Sequence, residues 1–375
     1  MTSHAVPARF PSAGTHVRGR LLGLLSFDIG YEIDLERARP LLPSSSASDS
    51  VSRRAAPAYV GYSTPPLRAP LGTVRIRLGE GTVDATATLI VHEVGAVTVL
   101  FAAPLACDIA ALPAITSTLT GAGPLEDAAR ALVERYRTEL APAVIRPAAS
   151  AFVEDYYVVQ VDRLDPDLPI PELLARERRA LAAALRCEPE PLSDAEVYDT
   201  LRGALSYYPD DLTITDWNVA VLVDPEPAAA LDVLEYLNVQ LLELRSFDAL
   251  LDRQIIDSYA LTAQRARRLP LLNAPFQRTV DELEQIRLEV ASMIERLHNA
   301  FKLGGDVYLA KLHARTAERL GLRAWESSVE RKLDVLHQRY ALLAERVRAA
   351  RSELLEVAIV VLVAVELVVL LLGWG

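Results

Sequence analysis

The chain is poor in cysteine, in histidine pairs and in positive charge. Only two cysteines occur among 375 residues, Cys107 and Cys187. They lie far apart in apolar surroundings, which gives neither a disulfide framework nor a paired metal site and fits a reducing compartment. None of the six histidines stands three or four residues from another, and no Cys-x-x-Cys occurs, so a metal ion has no local scaffold. With 39 basic against 50 acidic residues the formal net charge is −11, and no Lys/Arg run is interleaved with aromatics. Direct nucleic-acid binding therefore lacks its electrostatic footprint. No Gly-x-Ser-x-Gly elbow and no Walker loop occurs, and Glu126 stands where "GAG" at Gly121 to Gly123 would need a third glycine for a dinucleotide fingerprint. No cofactor is expected. The N-terminus also lacks the apolar stretch of roughly 7 to 15 residues that a secretory signal requires.

What is present reads as folded protein, 51% hydrophobic and 24% charged. Residues 1–15 are expected to be disordered. From 16 to 165 the periodicity turns toward two in "TVRIRL", "VDATATLIVHEV", "AVTVLFAA" and "YYVVQVD", which predicts strands. A helix beginning at Pro124 lies between them, and the Ser/Pro-rich residues 40–58 form a mobile loop. Residues 166–265 complete this α+β lobe with a helix, a strand over 212–224 and a long helix over 227–258. That long helix carries leucines at three and four spacing and reads as a core helix, with Asn238, Gln240, Glu243 and Arg245 as mostly surface or capping groups. Asn238 and Arg245, seven apart, would read a partner only if both lay on one buried edge.

Two helical seams follow. Val329, Leu333, Leu336, Tyr340, Leu343 and Val347 alternate at four and three residues, and "FQRTVDELEQIRLEVASMIERLHNAFK" offers a comparable stripe from Phe276. Joined through Gly304 and Gly305, they predict an antiparallel coiled-coil-like hairpin over 270–352, although the same seams would serve partners in trans. Residues 354–372 are almost wholly aliphatic, and 19 residues as a helix reach about 28 Å, near the ~30 Å hydrocarbon core. A single transmembrane helix is expected there, built on Leu354, Glu356, Val357, Ile359, Leu362, Glu366 and Leu370, with Trp374 at the far interface; a buried core helix is the alternative. Arg346, Arg348 and Arg351 before the span place the large domain in the cytoplasm. Glu366, costly in lipid, is expected to face another helix or to be protonated.

Several stretches resemble the RMD/YagE family: "DLTITDWNVAVLVD", "LEYLNVQLLELRSFDALLDR", "DVYLAKLH", "WESSVERKLDVL" and "LLEVAIVVLVAVEL". Trp217, Asn238, Leu244, Arg245, Asp306 and Trp325 carry the likeness, and Glu356 and Glu366 occupy the two acidic places of the family's terminal pattern. The resemblance implies a membrane-tethered, self-associating scaffold without known catalysis, with mitochondrial relatives holding ribosomes near a membrane. The expectation is thus a tail-anchored, homo-oligomeric adaptor of a bacterial inner membrane, not an enzyme, with membrane and a ribosome-associated complex as partners. The rival is an enzyme or ligand-binding protein with a pocket near Tyr207, Tyr208, Asp210 and Trp217.

Overall fold

The computed structural model describes residues 14–43, 46–47, 61–78, 81–120, 123–148, 152–265, 288, 290–292, 294–297, 299, 301–303 and 305–373. Residues 1–13, most of the loop expected over 40–58, the first helix of the expected hairpin up to residue 287, and Trp374 lie outside them. In chain order the elements are β1 (His16–Asp28), β2 (Gly30–Ile33), α1 (Leu35–Ala38), β3 (Ser46–Ala47), β4 (Gly61–Tyr62), β5 (Leu67–Leu78), β6 (Gly81–Val91), β7 (Ala96–Asp108), α2 (Leu112–Thr116) and α3 (Pro124–Leu140). Then come β8 (Val144–Pro147), β9 (Val153–Asp165), α4 (Ile170–Arg186), α5 (Asp194–Leu201), β10 (Leu212–Thr215), β11 (Val219–Val223), α6 (Ala228–Arg265), β12 (Phe301–Lys302), α7 (Val307–Arg319) and α8 (Leu322–Leu372).

The chain divides into two compact units, residues 1–246 with 296–325, and residues 247–295 with 326–375. The first is a mixed α/β unit on a sheet of order β10-β11-β9-β1-β7-β6-β5-β3, in which β9 and β11 pair in parallel. β1 lies at its centre, antiparallel to both β7 and β9. Because successive side chains of a strand face opposite ways, β1 sends Val17, Leu21, Leu25 and Phe27 to one side, toward α3 and α4. Leu22 and Leu24 go to the other, toward α6 and α7. Burial on both faces explains why "LLGLLSF" shows no alternation. Gly19 marks the bulge where the register with β9 shifts, and a Cβ there would stand 2.0 Å from the Gln160 carbonyl oxygen. No larger residue fits.

The strand expected over 212–224 is a hairpin instead. Asp216, Trp217 and Asn218 turn the chain between β10 and β11, with the Asp216 carboxylate accepting from the Trp217 amide at 2.9 Å. The segment expected only to link the hairpin's arms is also different. Residues 296–325 belong to the first unit, where Tyr308, Leu309, Leu312 and Leu320 join the core beneath α6. Their four apolar side chains find more buried surface there than a solvent-exposed connection offers.

In the second unit Val329, Leu336 and Tyr340 of α8 are buried with Leu251 of α6 and Val290, and Leu333, Phe247, Ile255 and Ile294 pack on them. Lys332 bridges Asp248 at 2.8 Å and Asp252 at 2.6 Å beside this core. The expected transmembrane helix, and with it the tail anchor and the single-pass inner-membrane location, is corrected: among the described residues no helix is long and apolar enough to cross a membrane. Glu356 and Glu366 stand exposed within that stretch, and an ionised carboxylate near the centre of a bilayer costs about 2.5 to 3.5 kcal/mol.

Candidate functional site

The first unit holds a polar seam along α6. Ser26 of β1 sits in register between Thr98 of β7 and Glu154 of β9, so three adjacent strands place three polar residues in one row. Ser26 and Thr98 share a hydrogen bond of 2.8 Å. Asn238 of α6 lies over this row, where its Nδ2 donates to Ser26 Oγ at 2.9 Å and to the Glu154 carbonyl at 3.1 Å. About two turns further along, Arg245 donates to the Glu154 carboxylate. The seven-residue spacing of Asn238 and Arg245 therefore does place both on one edge, where they read Glu154 of the same chain. Leu244 is buried in the same core, and the Arg245 guanidinium lies 6.0 Å from the Trp325 ring.

Toward the start of α6 the seam becomes ionic. Arg68 of β5 pairs with Asp232 at 3.0 Å and Glu235 at 2.9 Å, and the Tyr62 hydroxyl donates to Glu235 at 3.1 Å. His92 Nε2 is 3.1 Å from Thr98 Oγ1 and 4.0 Å from Glu235, which joins the two halves of the seam. Tyr62, Tyr236 and Phe301 form an aromatic wall beside it, with the Tyr62 and Phe301 ring centroids 5.0 Å apart. Burial fixes the protonation states. It pushes the His92 imidazole down to about 4, with Arg68 adding to the effect and Glu235 opposing it, so the ring is neutral near pH 7. Burial likewise raises the Glu154 carboxyl to about 7 against the attraction of Arg245. Glu243, 1% exposed, is driven well above the usual carboxylate range by burial and then by the Asp28 charge, with Arg296 opposing. Asp28 is itself raised to about 6 by burial, against the Gly30 amide that donates to it.

This arrangement joins strands and helix. A cavity of about 40 Å³ lies elsewhere in the same unit, lined by Gly23, Arg77, Phe101, Leu125, Glu126 and Tyr157 among others. It has room for water-sized groups, against roughly 300 Å³ or more for small-molecule sites. Near the expected aromatic pocket, Tyr207 and Trp217 are 56% and 48% exposed and Asp210 is exposed. Tyr207 stacks edge-on to Tyr208 at 4.8 Å, while its amide donates to the Asp211 carboxylate at 2.6 Å. That stretch is a stitched turn. Asp306 caps α7, its carboxylate accepting from the Leu309 amide at 2.9 Å.

The second unit presents the other feature. Val357, Ile359, Leu362 and Leu370, expected as anchor residues, are 59%, 58%, 64% and 68% exposed, as are the neighbours Val361, Val363, Val365 and Leu367 between 51% and 57%. Glu356 and Glu366 are exposed among them. Of the expected seam, Val329, Leu333, Leu336 and Tyr340 come together in the core of this unit. The side chains of Leu343, Val347 and Leu354 lie outside the described residues. Sequence reasoning did not single out Arg68, Ser26 or Thr98, took His92 only as a histidine without ligand spacing, and read Glu154, beside Asp155, as a solvated turn. Their partners lie far along the chain, and an isolated polar residue in a strand carries no signal of its own.

Residues 18–229 match the family described as "Uncharacterized protein MJ0711, N-terminal domain". The chain belongs to that family. It is 25% identical over 226 residues to "Uncharacterized protein MJ0711" of Methanocaldococcus jannaschii, an alignment covering 60% of this chain and 67% of that protein. No solved structure matches. The matched family spans the sheet and the start of α6, so membership covers most of the first unit and leaves α8 outside the matched residues.

Proposed function

We propose that this member of the MJ0711 N-terminal domain family is a self-associating scaffold without catalysis of its own, in which the apolar end of α8 is covered by further copies of the same chain. One observation carries the reading: from Leu355 to Leu370 the helix exposes aliphatic side chains on all sides. A contiguous exposed apolar surface marks an interaction site, and a helix apolar all round has to be enclosed. The closed polar seam of the first unit supports a rigid body offered to a protein partner. The stretches that resemble the RMD/YagE family, including Asn238, Arg245 and Trp325, support the same reading and make a ribosome-associated complex the partner to look for first.

Sedimentation of the full chain in detergent-free buffer tests it. Multimers are expected for the unchanged chain, and monomers for the triple variant Val357→Gln, Val361→Gln, Val368→Gln. A monomeric full chain, or one that enters phosphatidylcholine vesicles as single copies, would overturn the proposal.

A further inference from the structure

The buried seam of α8 and its exposed apolar end share one phase. Val329, Leu333, Leu336 and Tyr340, packed inside the second unit, follow at four, three and four residues. Continued at the same alternation, the register runs through Leu343, Val347, Ala350 and Leu354 to Val357, Val361, Ala364, Val368 and Leu371. Every position of this stripe is aliphatic, and both acidic residues of the run fall off it. With Leu354, Val361 and Val368 as a positions, and Val357, Ala364 and Leu371 as d positions, Glu356 takes c and Glu366 takes f, the places that point away from a coiled-coil seam. A stripe chosen at random through a run containing two acids would often include one of them. This one includes neither, and it is the stripe already used for burial lower in the same helix.

We infer that copies of the chain join as a parallel, in-register bundle through the exposed stripe Val357, Val361, Ala364 and Val368, leaving Glu356 and Glu366 in water. The partner is a second copy because the stripe is complementary to itself. An in-register pair stacks Val361 on Val361 and Ala364 on Ala364 of the partner copy, with no charge brought inside. Glu366 thus lies on the water-facing side of the bundle, whereas the sequence-based expectation has it facing another helix or protonated.

The inference rests on the self-association proposed above, and the test separates the two. Single cysteines are placed in the full chain at Val361 and Ala364 on the stripe, and at Ile359 and Glu366 on the f positions, with Cys107 and Cys187 changed to Ala. All four positions are exposed in the monomer, so the substitutions leave the units intact. After mild oxidation Val361→Cys and Ala364→Cys should give roughly tenfold more linked dimer than Ile359→Cys and Glu366→Cys, because a disulfide needs Cβ atoms about 4 Å apart. Glu366→Gln should leave the sedimentation coefficient unchanged, while Val361→Gln should lower it. Multimers whose cross-links favour the f positions, or form equally at all four, would overturn the register while leaving self-association standing. Multimers that tighten in Glu366→Gln would place Glu366 inside and overturn it as well. A monomeric full chain would overturn both.

Discussion

Asn238 offers the sharpest test of the seam in the first unit. Replacing it by Ala removes the donors to Ser26 Oγ at 2.9 Å and to the Glu154 carbonyl at 3.1 Å, at a position 1% exposed. Two hydrogen bonds at about 1 kcal/mol each give about 2 kcal/mol. Ser26 keeps Thr98 as a partner, so only the Glu154 carbonyl loses a contact it cannot replace from the side chain row, adding about 1 kcal/mol. Against this, the Asn238 Oδ1 atom is buried without a hydrogen-bond partner, and its removal returns about 1 kcal/mol. The net loss is about 2 kcal/mol, or roughly 4 to 8 °C in Tm for a unit of this size. Thermal and urea unfolding measure it, with an unchanged m-value showing that the native state stays compact. The double variant with Ser26→Ala should lose about 1 kcal/mol less than the sum of the singles. A Tm shift within about 1 °C for Asn238→Ala, or strict additivity with Ser26→Ala, would refute the claim that this residue ties α6 to the sheet.

Three further outcomes follow from the same geometry. Glu154, raised from 4.5 to about 7 in the fold, contributes stability that is complete below the unfolded value and is lost as pH rises through about 7. Glu154→Gln should therefore flatten the stability curve between pH 4.5 and 7, by on the order of 3 kcal/mol, and an unchanged curve would contradict the buried carboxyl. His92, lowered from 6.5 to about 4, acts in the opposite sense: its contribution is complete above the unfolded value and is lost as pH falls through about 4. His92→Phe should accordingly make unfolding less acid-sensitive over that window, as followed by circular dichroism at fixed urea. Arg68→Met leaves Asp232 and Glu235, 3% exposed at its side chain, without their shared cation, and should cost about 3 to 5 kcal/mol; a loss under about 1 kcal/mol would mean that the pair is solvated.

The sequence made β5, β6, β7 and β9 legible and hid β1 between the last two. β5, β6 and β7 face water on part of their length, so their alternation survives, and Pro124 announces α3. β1 is covered on both sides, and its apolar residues with Gly19 and Gly23 read as neither helix nor strand. The α6 leucines were legible as a core stripe, but the polar residues on the same helix were not. Asp232, Glu235, Asn238 and Glu243 are all buried, and the first three meet partners 84 to 214 residues away. Periodicity within a window carries no information on such partners. The family-like residues are scattered along the chain, and the fold gathers Asn238, Leu244, Arg245 and Trp325 onto one region while leaving Trp217 on a hairpin turn and Asp306 as a cap. The α8 run misled in the other direction, since composition alone made it a membrane span.

The contrast between the two ends of the molecule's chemistry argues for where its interactions lie. In the first unit the ionised side chains of the seam meet partners. Arg68 answers Asp232 and Glu235, and Arg245 answers Glu154, so the seam holds the sheet to α6 and has little left over for a ligand. At the end of α8 the balance is reversed. Eleven Val, Ile and Leu side chains between Leu355 and Leu370 stand more than half exposed, and burying each is worth up to about 1.5 to 3 kcal/mol. Val357, Val361 and Val368 of these lie on the proposed stripe, and burying the three would be worth up to about 5 to 9 kcal/mol per chain, comparable to the whole stability of a domain. Since the stripe that leads into it from the folded part excludes both Glu356 and Glu366, another copy can cover it without burying a charge.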